Sequence, residues 1–270
     1  MKKLLNIILL SVLLTQHVFA QINDNFSDGD FTVNPVWTEG TAGDFKDTLG
    51  MLRSNNSVAS STYYTSTPNT TATDCQWEFF VNLKFSTSSA NYVDVYLTAD
   101  NADLSSASLN GYFVRIGNTT DEISLYKNVS GTATKIIDGI DGIVASSSNN
   151  LVKVKVIRDV ANQFTLSRDM SGTGSSYTTE GSITDATFTT SSFFGFLVKQ
   201  STSSFFLKHF FDDVYVGPII LDVTEPTIIS ATPISSTQLE VLFDENVDQA
   251  TAETATNYSV NNGIGIATTA

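Results

Sequence analysis

Residues 77–85, "WEFFVNLKF", place apolar side chains at every second position. Successive side chains of a β-strand point to opposite faces of a sheet, whereas a helix repeats about every 3.6 residues. The stretch therefore predicts a strand with one face in a core and one face in water. The face predicted to be buried carries Trp77, Phe79, Val81, Leu83 and Phe85.

The same alternation recurs along the chain, and turn-forming clusters of Gly, Asn, Asp and Ser separate the runs. No stretch of a dozen residues shows a helical stripe with caps. The pattern predicts an all-β protein, an antiparallel β-sandwich. Residues 21–217 exceed an immunoglobulin domain of about 100 residues and fit a larger jelly roll. The other runs are "YVDVYLT" (92–98), "GYFVRIG" (111–117), "EISLYK" (122–127), "LVKVKVI" (151–157), "QFTLSR" (163–168) and "FFGFLVK" (193–199).

The N-terminus, "MKKLLNIILLSVLLTQHVFAQ", has the pattern of a secretory signal peptide. Lys2 and Lys3 precede an apolar segment that is too short to span a bilayer, and small-residue positions lead to Ala20. We predict a signal peptide at residues 1–20, cleaved after Ala20, and a secreted or cell-surface protein. The alternative is that the N-terminal segment stays uncleaved and anchors the protein in a membrane. No later segment is apolar enough to cross a membrane.

The predicted mature chain is strongly acidic. Cleavage removes two of the 14 basic residues and none of the 28 acidic ones, which leaves a formal charge of −16. Phosphate contacts need clustered Lys and Arg, so the acidic balance argues against a nucleic-acid partner. Cys75 is the sole cysteine, so the chain has no internal disulfide, and we expect its thiol to be a small buried hydrophobe.

The composition changes at "GPIILDVTEPTIISATP" (217–233), where prolines punctuate the chain. We predict a jelly-roll β-sandwich at 21–218, a linker at 219–224 and a second domain at 225–270. About 50 residues are too few for a closed sandwich, so we expect this second domain to be incomplete.

Two resemblances refine this outline. Residues 225–262 resemble the first half of the bacterial Ig-like domains of S-layer and other secreted surface proteins. Residues 23–217 look like a module of secreted multidomain Bacteroidetes proteins that is similar to concanavalin A-like and laminin G-like jelly rolls. Its marks are "NFSDGDFTVNPVW" (25–37), "GYFVRIGNTTDEISLYK" (111–127), "VKVKVIRD" (152–159) and "FFDDVYVG" (210–217). The Ig-like match rests on Leu239, Val241, Phe243, Glu245, Val247, Asn257, Tyr258 and Val260.

Catalytic patterns are missing from the sequence. Retaining glycosidases built on a jelly roll usually carry two carboxylates on one strand as "E-x-D-x-E" or "E-x-D-x-x-E", but here Glu78 and Asp94 each stand alone. His209 is the only histidine of the predicted mature chain, and no G-x-S-x-G elbow accompanies it. We expect a structural histidine and a non-catalytic protein. An enzyme would have to assemble carboxylates from distant strands.

Two acidic clusters suggest a calcium site. Calcium binds several carboxylate and carbonyl oxygens, and the first and last strands of a jelly roll commonly pair. That pairing would bring Asp24, Asp28 and Asp30 close to Asp212 and Asp213. The alternative is that these residues form turns and solvated strand ends.

The two aspartates of "SSFFLKHFFDDVYVGP" (203–218) raise a further problem. In an unbroken strand, Asp212 shares a face with Val214 and Val216, where a bare carboxylate is costly. Three arrangements would resolve this: a β-bulge, hydrogen bonds from a neighbouring loop, or a shared calcium ion.

Glycan binding needs exposed aromatic rings beside polar groups. The candidate residues are Trp37, Tyr63, Tyr64, Tyr92 and Tyr96. The alternative is that these aromatic rings belong to the core of the sandwich, with Trp37 capping it. We predict a secreted binding or adhesion module for a carbohydrate or other cell-surface ligand, followed by an Ig-like spacer. The alternatives are a polysaccharide hydrolase or lyase, and a purely architectural surface protein.

Overall fold

A computed structural model describes residues 22–221, 223–245, 247–261 and 263–270, so the predicted signal peptide lies outside the described residues. The described chain divides into two compact units, of which the first ends at Ile220 and the second begins at Leu221. The predicted domain assignments and the linker at 219–224 stay predictions.

Short strands joined by turns form the first unit, as the alternation predicts. In chain order they are β1 (Ile22–Asp24), β2 (Thr38–Glu39), β3 (Phe45–Asp47), β4 (Leu52–Ser54), β5 (Ser61–Pro68), β6 (Cys75–Leu83), β7 (Tyr92–Ala99), β8 (Gly111–Gly117), β9 (Glu122–Val129), β10 (Thr132–Ile137), β11 (Asn150–Arg158), β12 (Gln163–Asp169), β13 (Thr178–Thr184), β14 (Phe193–Gln200) and β15 (His209–Gly217). A single 3-10 turn, Ser203–Phe205, precedes β15.

The strands form two antiparallel sheets. Among the described residues, sheet A has the order β13-β12-β11-β6-β15-β4-β3, and β1 also pairs with β15. Sheet B has the order β10-β9-β8-β7-β14-β5-β2. The first and last strands pair, as expected, with Asp24 opposite Val214. This is the predicted antiparallel all-β sandwich.

The core lies between the two sheets, and it contains the side chains that the alternation assigned to it. Phe79, Val81 and Leu83 are fully buried, and Val154 of β11 packs in the same cluster. Each such side chain stabilises the fold by about 1.5–3 kcal/mol. Cys75 is buried, and burial raises the pKa of its thiol to about 12, so it is the inert buried residue that was predicted.

A β-bulge in β15 resolves the problem of the two aspartates. The register against β6 shifts between Asp212 and Tyr215, and Asp213 has a left-handed backbone (φ 47°). The shift lets Phe211 and Val214 both point into the core. Asp213 then faces the outer surface of sheet A, where its Oδ2 lies 2.8 Å from Nζ of Lys153. The Lys153 side chain is only 8% exposed, and this ion pair gives its buried charge a partner.

His209 is a structural residue at the start of β15. Its ring is fully buried, its Nδ1 lies 3.1 Å from Oγ of Ser54, and it packs edge-on against Phe85. Its Nε2 has no hydrogen-bond partner within the described chain. Burial lowers the pKa of the imidazole to about 3, so the neutral ring is the stable form near pH 7.

The second unit contains two hairpins and short helical turns. Its elements are β16 (Ile228–Pro233), β17 (Leu239–Phe243), α1 (Gln249–Ala252), a 3-10 turn (Ala255–Asn257), β18 (Ser259–Val260) and β19 (Gly265–Ile266). β16 pairs with β17, and β18 pairs with β19. No described residue of this unit is buried. The Ig-like assignment stays a prediction.

The burial of His209 predicts acid destabilisation of the first unit. Between pH 6.5 and about 3, the unfolded histidine binds a proton that the folded one does not, so the free energy of unfolding falls as the pH falls. The His209 contribution is on the order of 5 kcal/mol over this range. His209→Gln should remove this slope, since an amide does not titrate there and can still hydrogen-bond to Ser54.

Denaturant unfolding of residues 21–270 at several pH values checks this. Trp37 and Trp77 are the only tryptophans and both lie in the first unit, so their fluorescence follows that unit. The difference in unfolding free energy between the parent protein and His209→Gln should change with pH. A constant difference from pH 7 to pH 4 would contradict the assignment.

Candidate functional site

The outer face of sheet B carries a second apolar cluster, separate from the core. β7 and β8 bury their inward side chains against sheet A, and their outward side chains are also largely buried. The loop 100–110 covers one end of this face, where Ser66 Oγ donates a hydrogen bond to the carbonyl of Ala102. The cluster contains Tyr96, Ala99, Leu104, Leu109, Phe113, Tyr126 and Leu197, with Tyr64 and Phe193 packed against it.

A buried ion pair lies beside this cluster. Asp94 of β7 is directly opposite Arg115 of β8, and both are outward positions. Nε and Nη2 of Arg115 each donate a hydrogen bond of 2.7 Å to the carboxylate of Asp94. Burial disfavours the charge on Arg115, but the hydrogen bonds and charge of Asp94 outweigh it and hold the guanidinium pKa above its ordinary value. The guanidinium is therefore charged. On Asp94 burial is the largest effect and raises the carboxyl pKa, against the lowering effect of the hydrogen bonds from Arg115.

Tyrosine rings surround the guanidinium. Cζ of Arg115 lies 4.2 Å from the ring centre of Tyr92 and 5.0 Å from that of Tyr126. Nζ of Lys199, on β14, lies 5.3 Å from the same Tyr92 ring. The rings attract both cations through their negative faces and fix the plane of the guanidinium. We call Tyr92, Asp94, Arg115, Tyr126 and Lys199 the tyrosine–arginine patch.

The patch contains polar groups that have no hydrogen-bond partner among the described residues. Within the described residues, the hydroxyls of Tyr92 and Tyr126 and the ammonium of Lys199 make no hydrogen bond, and neither does Nη1 of Arg115. Tyr92 and Lys199 are half-buried, and the Arg115 side chain is 16% exposed. Aromatic faces beside free donors can bind a ligand that is both flat and rich in oxygen.

The aromatic residues proposed from the sequence divide between core and surface. Trp37 and Tyr63 are core residues, and Tyr96 is covered. Tyr64 and Tyr92 are half-exposed on the outer face of sheet B.

The sequence pattern did not identify Arg115, Tyr126 and Lys199 as candidate site residues. All three stand at outward positions of strands that the alternation identified, but nothing local indicates that they meet Tyr92.

The acidic residues proposed as calcium ligands mostly bind protein groups. Asp24 accepts hydrogen bonds from the Phe26 amide and from Trp37 Nε1, 2.9 and 2.8 Å long. Asp28 and Asp30 each accept one from the backbone amide two residues further on. Such hydrogen bonds are typical of turns, which is the alternative to calcium binding that the sequence left open for Asp28 and Asp30.

At the other end of the chain, Asp213 is paired with Lys153, and Asp212 accepts a hydrogen bond from the Asp213 amide. Over the described ranges, no group of three or more His, Cys, Asp or Glu side chains could hold a metal ion. Calcium at these positions stays a prediction.

No helix in the described ranges is both long and apolar enough to cross a membrane.

No family model matches this sequence, and no curated protein matches it. Solved structures resemble the fold. The VIP36 exoplasmic/lumenal domain, in a form bound to Ca2+ and Man3GlcNAc, has a TM-score of 0.54 at 12% identity. The match covers 76% of this chain and 91% of the VIP36 chain. The carbohydrate recognition domain of Emp47p has a TM-score of 0.52 at 11% identity, covering 73% and 93%.

The carbohydrate-binding module CBM66 from Bacillus subtilis has a TM-score of 0.48 at 16% identity and covers 66% of this chain and 92% of its own. At these identities the likenesses concern architecture. The chain therefore has the antiparallel jelly-roll fold of lectin domains.

Proposed function

We propose that this protein is a secreted, non-catalytic carbohydrate-binding module whose ligand binds on the tyrosine–arginine patch. The observation that carries the proposal is the combination of tyrosine rings, a guanidinium fixed by Asp94 and unused donors on one sheet face. Sugar rings present C–H groups to aromatic faces and hydroxyls to polar donors and acceptors.

The ligands of the structural neighbours support this class of ligand. VIP36 domains are known in forms bound to Man, to Man2 and to Man3GlcNAc, and the Emp47p structure is that of a carbohydrate recognition domain. Those sugars belong to those proteins. The signal peptide predicted at 1–20 supports secretion, and the predicted Ig-like unit would present the jelly roll as a spacer on a cell surface.

A hydrolase or lyase on this face would need two carboxylates that can reach a substrate. Both oxygens of Asp94 accept hydrogen bonds from Arg115. Glu122, on the neighbouring β9, is 1% exposed, and its Oε1 lies 2.5 Å from Nζ of Lys135. Because both carboxylates are neutralised by buried or half-buried cations, binding explains the patch better than catalysis does.

The first test of this proposal is Tyr92→Ala. Loss of the ring removes one stacking surface and one support of Arg115, so we expect glycan affinity to fall by about tenfold or more, equivalent to about 1.4 kcal/mol. Residues 21–270 should first be screened on an array of neutral and acidic glycans. Affinity for the best glycan should then be measured by calorimetry.

Tyr177→Ala is the matched control. Tyr177 also lies under a lysine, with Lys155 Nζ 3.9 Å from its ring centre, but its partner Lys155 belongs to β11 of sheet A. This variant should bind as the parent does. A blank array would favour the architectural alternative, and release of reducing sugar from a bound polysaccharide would favour the enzyme. Equal losses of glycan affinity in Tyr92→Ala and Tyr177→Ala would argue against a binding site on sheet B.

We also propose that calcium binds beside the pairing of β1 with β15. Burial raises the pKa of Asp212 to about 6, and the charges of Asp213 and Asp24 act in the same direction. Burial, together with the charge of Asp28, also raises the pKa values of Asp24 and Asp47. A divalent cation would relieve this concentration of negative charge.

Thermal unfolding with calcium or with a chelator tests this second proposal. Calcium should raise the melting temperature by about 3 °C, which corresponds to about 1 kcal/mol for a domain of this size. Asp212→Asn should reduce the shift, whereas Asp141→Asn, at an exposed position outside these clusters, should leave it unchanged. Identical melting with calcium and chelator would exclude the cofactor.

A further inference from the structure

Arg115 has an unused hydrogen-bonding edge. A guanidinium carries five N–H donors. Asp94 takes the one on Nε and one of the two on Nη2, which leaves one on Nη2 and both on Nη1. One free N–H from each of these two nitrogens lies parallel to the other, so together they form a second fork. A fork of this kind matches the two oxygens of a planar carboxylate.

The patch also has an excess of positive charge. Asp94 neutralises Arg115, and Lys199 has no ion pair among the described residues, so the patch carries a net charge of about +1. The whole chain has a formal charge of −14, so a local excess of this sign stands out on it. Arg115 and Lys199 both contact the ring of Tyr92, which brings the free fork and the free ammonium to one place.

We propose that the patch binds an acidic glycan, a chain of hexuronic acid residues. This inference rests on the proposed carbohydrate-binding function and specifies its ligand class. A uronate carboxylate binds the free fork of Arg115 and the ammonium of Lys199, while the sugar ring packs on Tyr92. The carboxylate brings the one negative charge that balances Lys199.

A carboxylate fits this position better than a sulfate does. The ring centres of Tyr92 and Tyr126 lie 4.2 and 5.0 Å from Cζ of Arg115, and their electron-rich faces repel an anion, which favours approach along the free edge of the guanidinium. A planar group places two oxygens along that edge. The tetrahedral sulfate group carries a third oxygen, which would be directed toward a ring face.

The experiment compares an oligogalacturonate with the same oligosaccharide after reduction of its carboxyl groups to alcohols. Calorimetry with residues 21–270 should show at least about tenfold tighter binding of the acidic form, with the preference decreasing as salt is added. A sulfated galactan oligosaccharide forms a third arm and should bind more weakly than the oligogalacturonate.

Lys199→Gln should reduce the preference for the acidic form to about threefold or less, and Lys199→Arg should restore it. Lys84→Gln is the matched control, because Lys84 Nζ lies 4.2 Å from the ring centre of Phe210 on β15 of sheet A. Arg115 is left unchanged, since its removal would leave Asp94 buried without a partner.

The outcomes separate the two proposals. Equal binding of the acidic and reduced oligosaccharides, with sensitivity to Tyr92→Ala, would overturn the acidic-ligand inference and leave carbohydrate binding standing. Tighter binding of the sulfated arm would overturn the carboxylate assignment. No binding of any neutral or acidic glycan would overturn both proposals.

Discussion

The register between β7 and β8 is the constraint on which both the core and the candidate site depend. It pairs Val95 with Val114 toward sheet A, and Asp94 with Arg115 toward the outside. Because side chains alternate with a period of two, a slip of one residue would exchange these faces. Arg115 would enter the core, and the valines would replace the patch. One set of backbone hydrogen bonds thus fixes the sandwich and assembles the charged pair.

Burying the ion pair of Asp94 and Arg115 on this face costs solvation free energy. Two charges removed from water lose more solvation than a well-packed apolar pair would, so such pairs are weak stabilisers. The neighbouring positions Phe113 and Tyr96 show that aromatic packing is already available here. We propose that the pair is kept because a guanidinium with a free fork can bind a ligand, which an apolar residue cannot do.

The bulge in β15 shows how a local irregularity serves the wider fold. A regular strand would have buried one aspartate among valines. The extra residue instead keeps Phe211 and Val214 in the core and turns Asp213 toward Lys153. The acidic residues that looked like metal ligands in the sequence are mostly used in turns, a buried hydrogen bond to Trp37 and this ion pair.

The sequence by itself determined the fold class and the orientation of most side chains. Alternation is a local property, so the inward faces of β6 and β7 and the burial of Cys75 could be read from neighbouring residues. The tertiary structure decided which outward side chains meet. Arg115 reaches Asp94 across a hairpin, but Lys199 meets Tyr92 only because β14 pairs with β7, over 100 residues away along the chain. Strand order depends on packing between distant segments, and no short pattern encodes it.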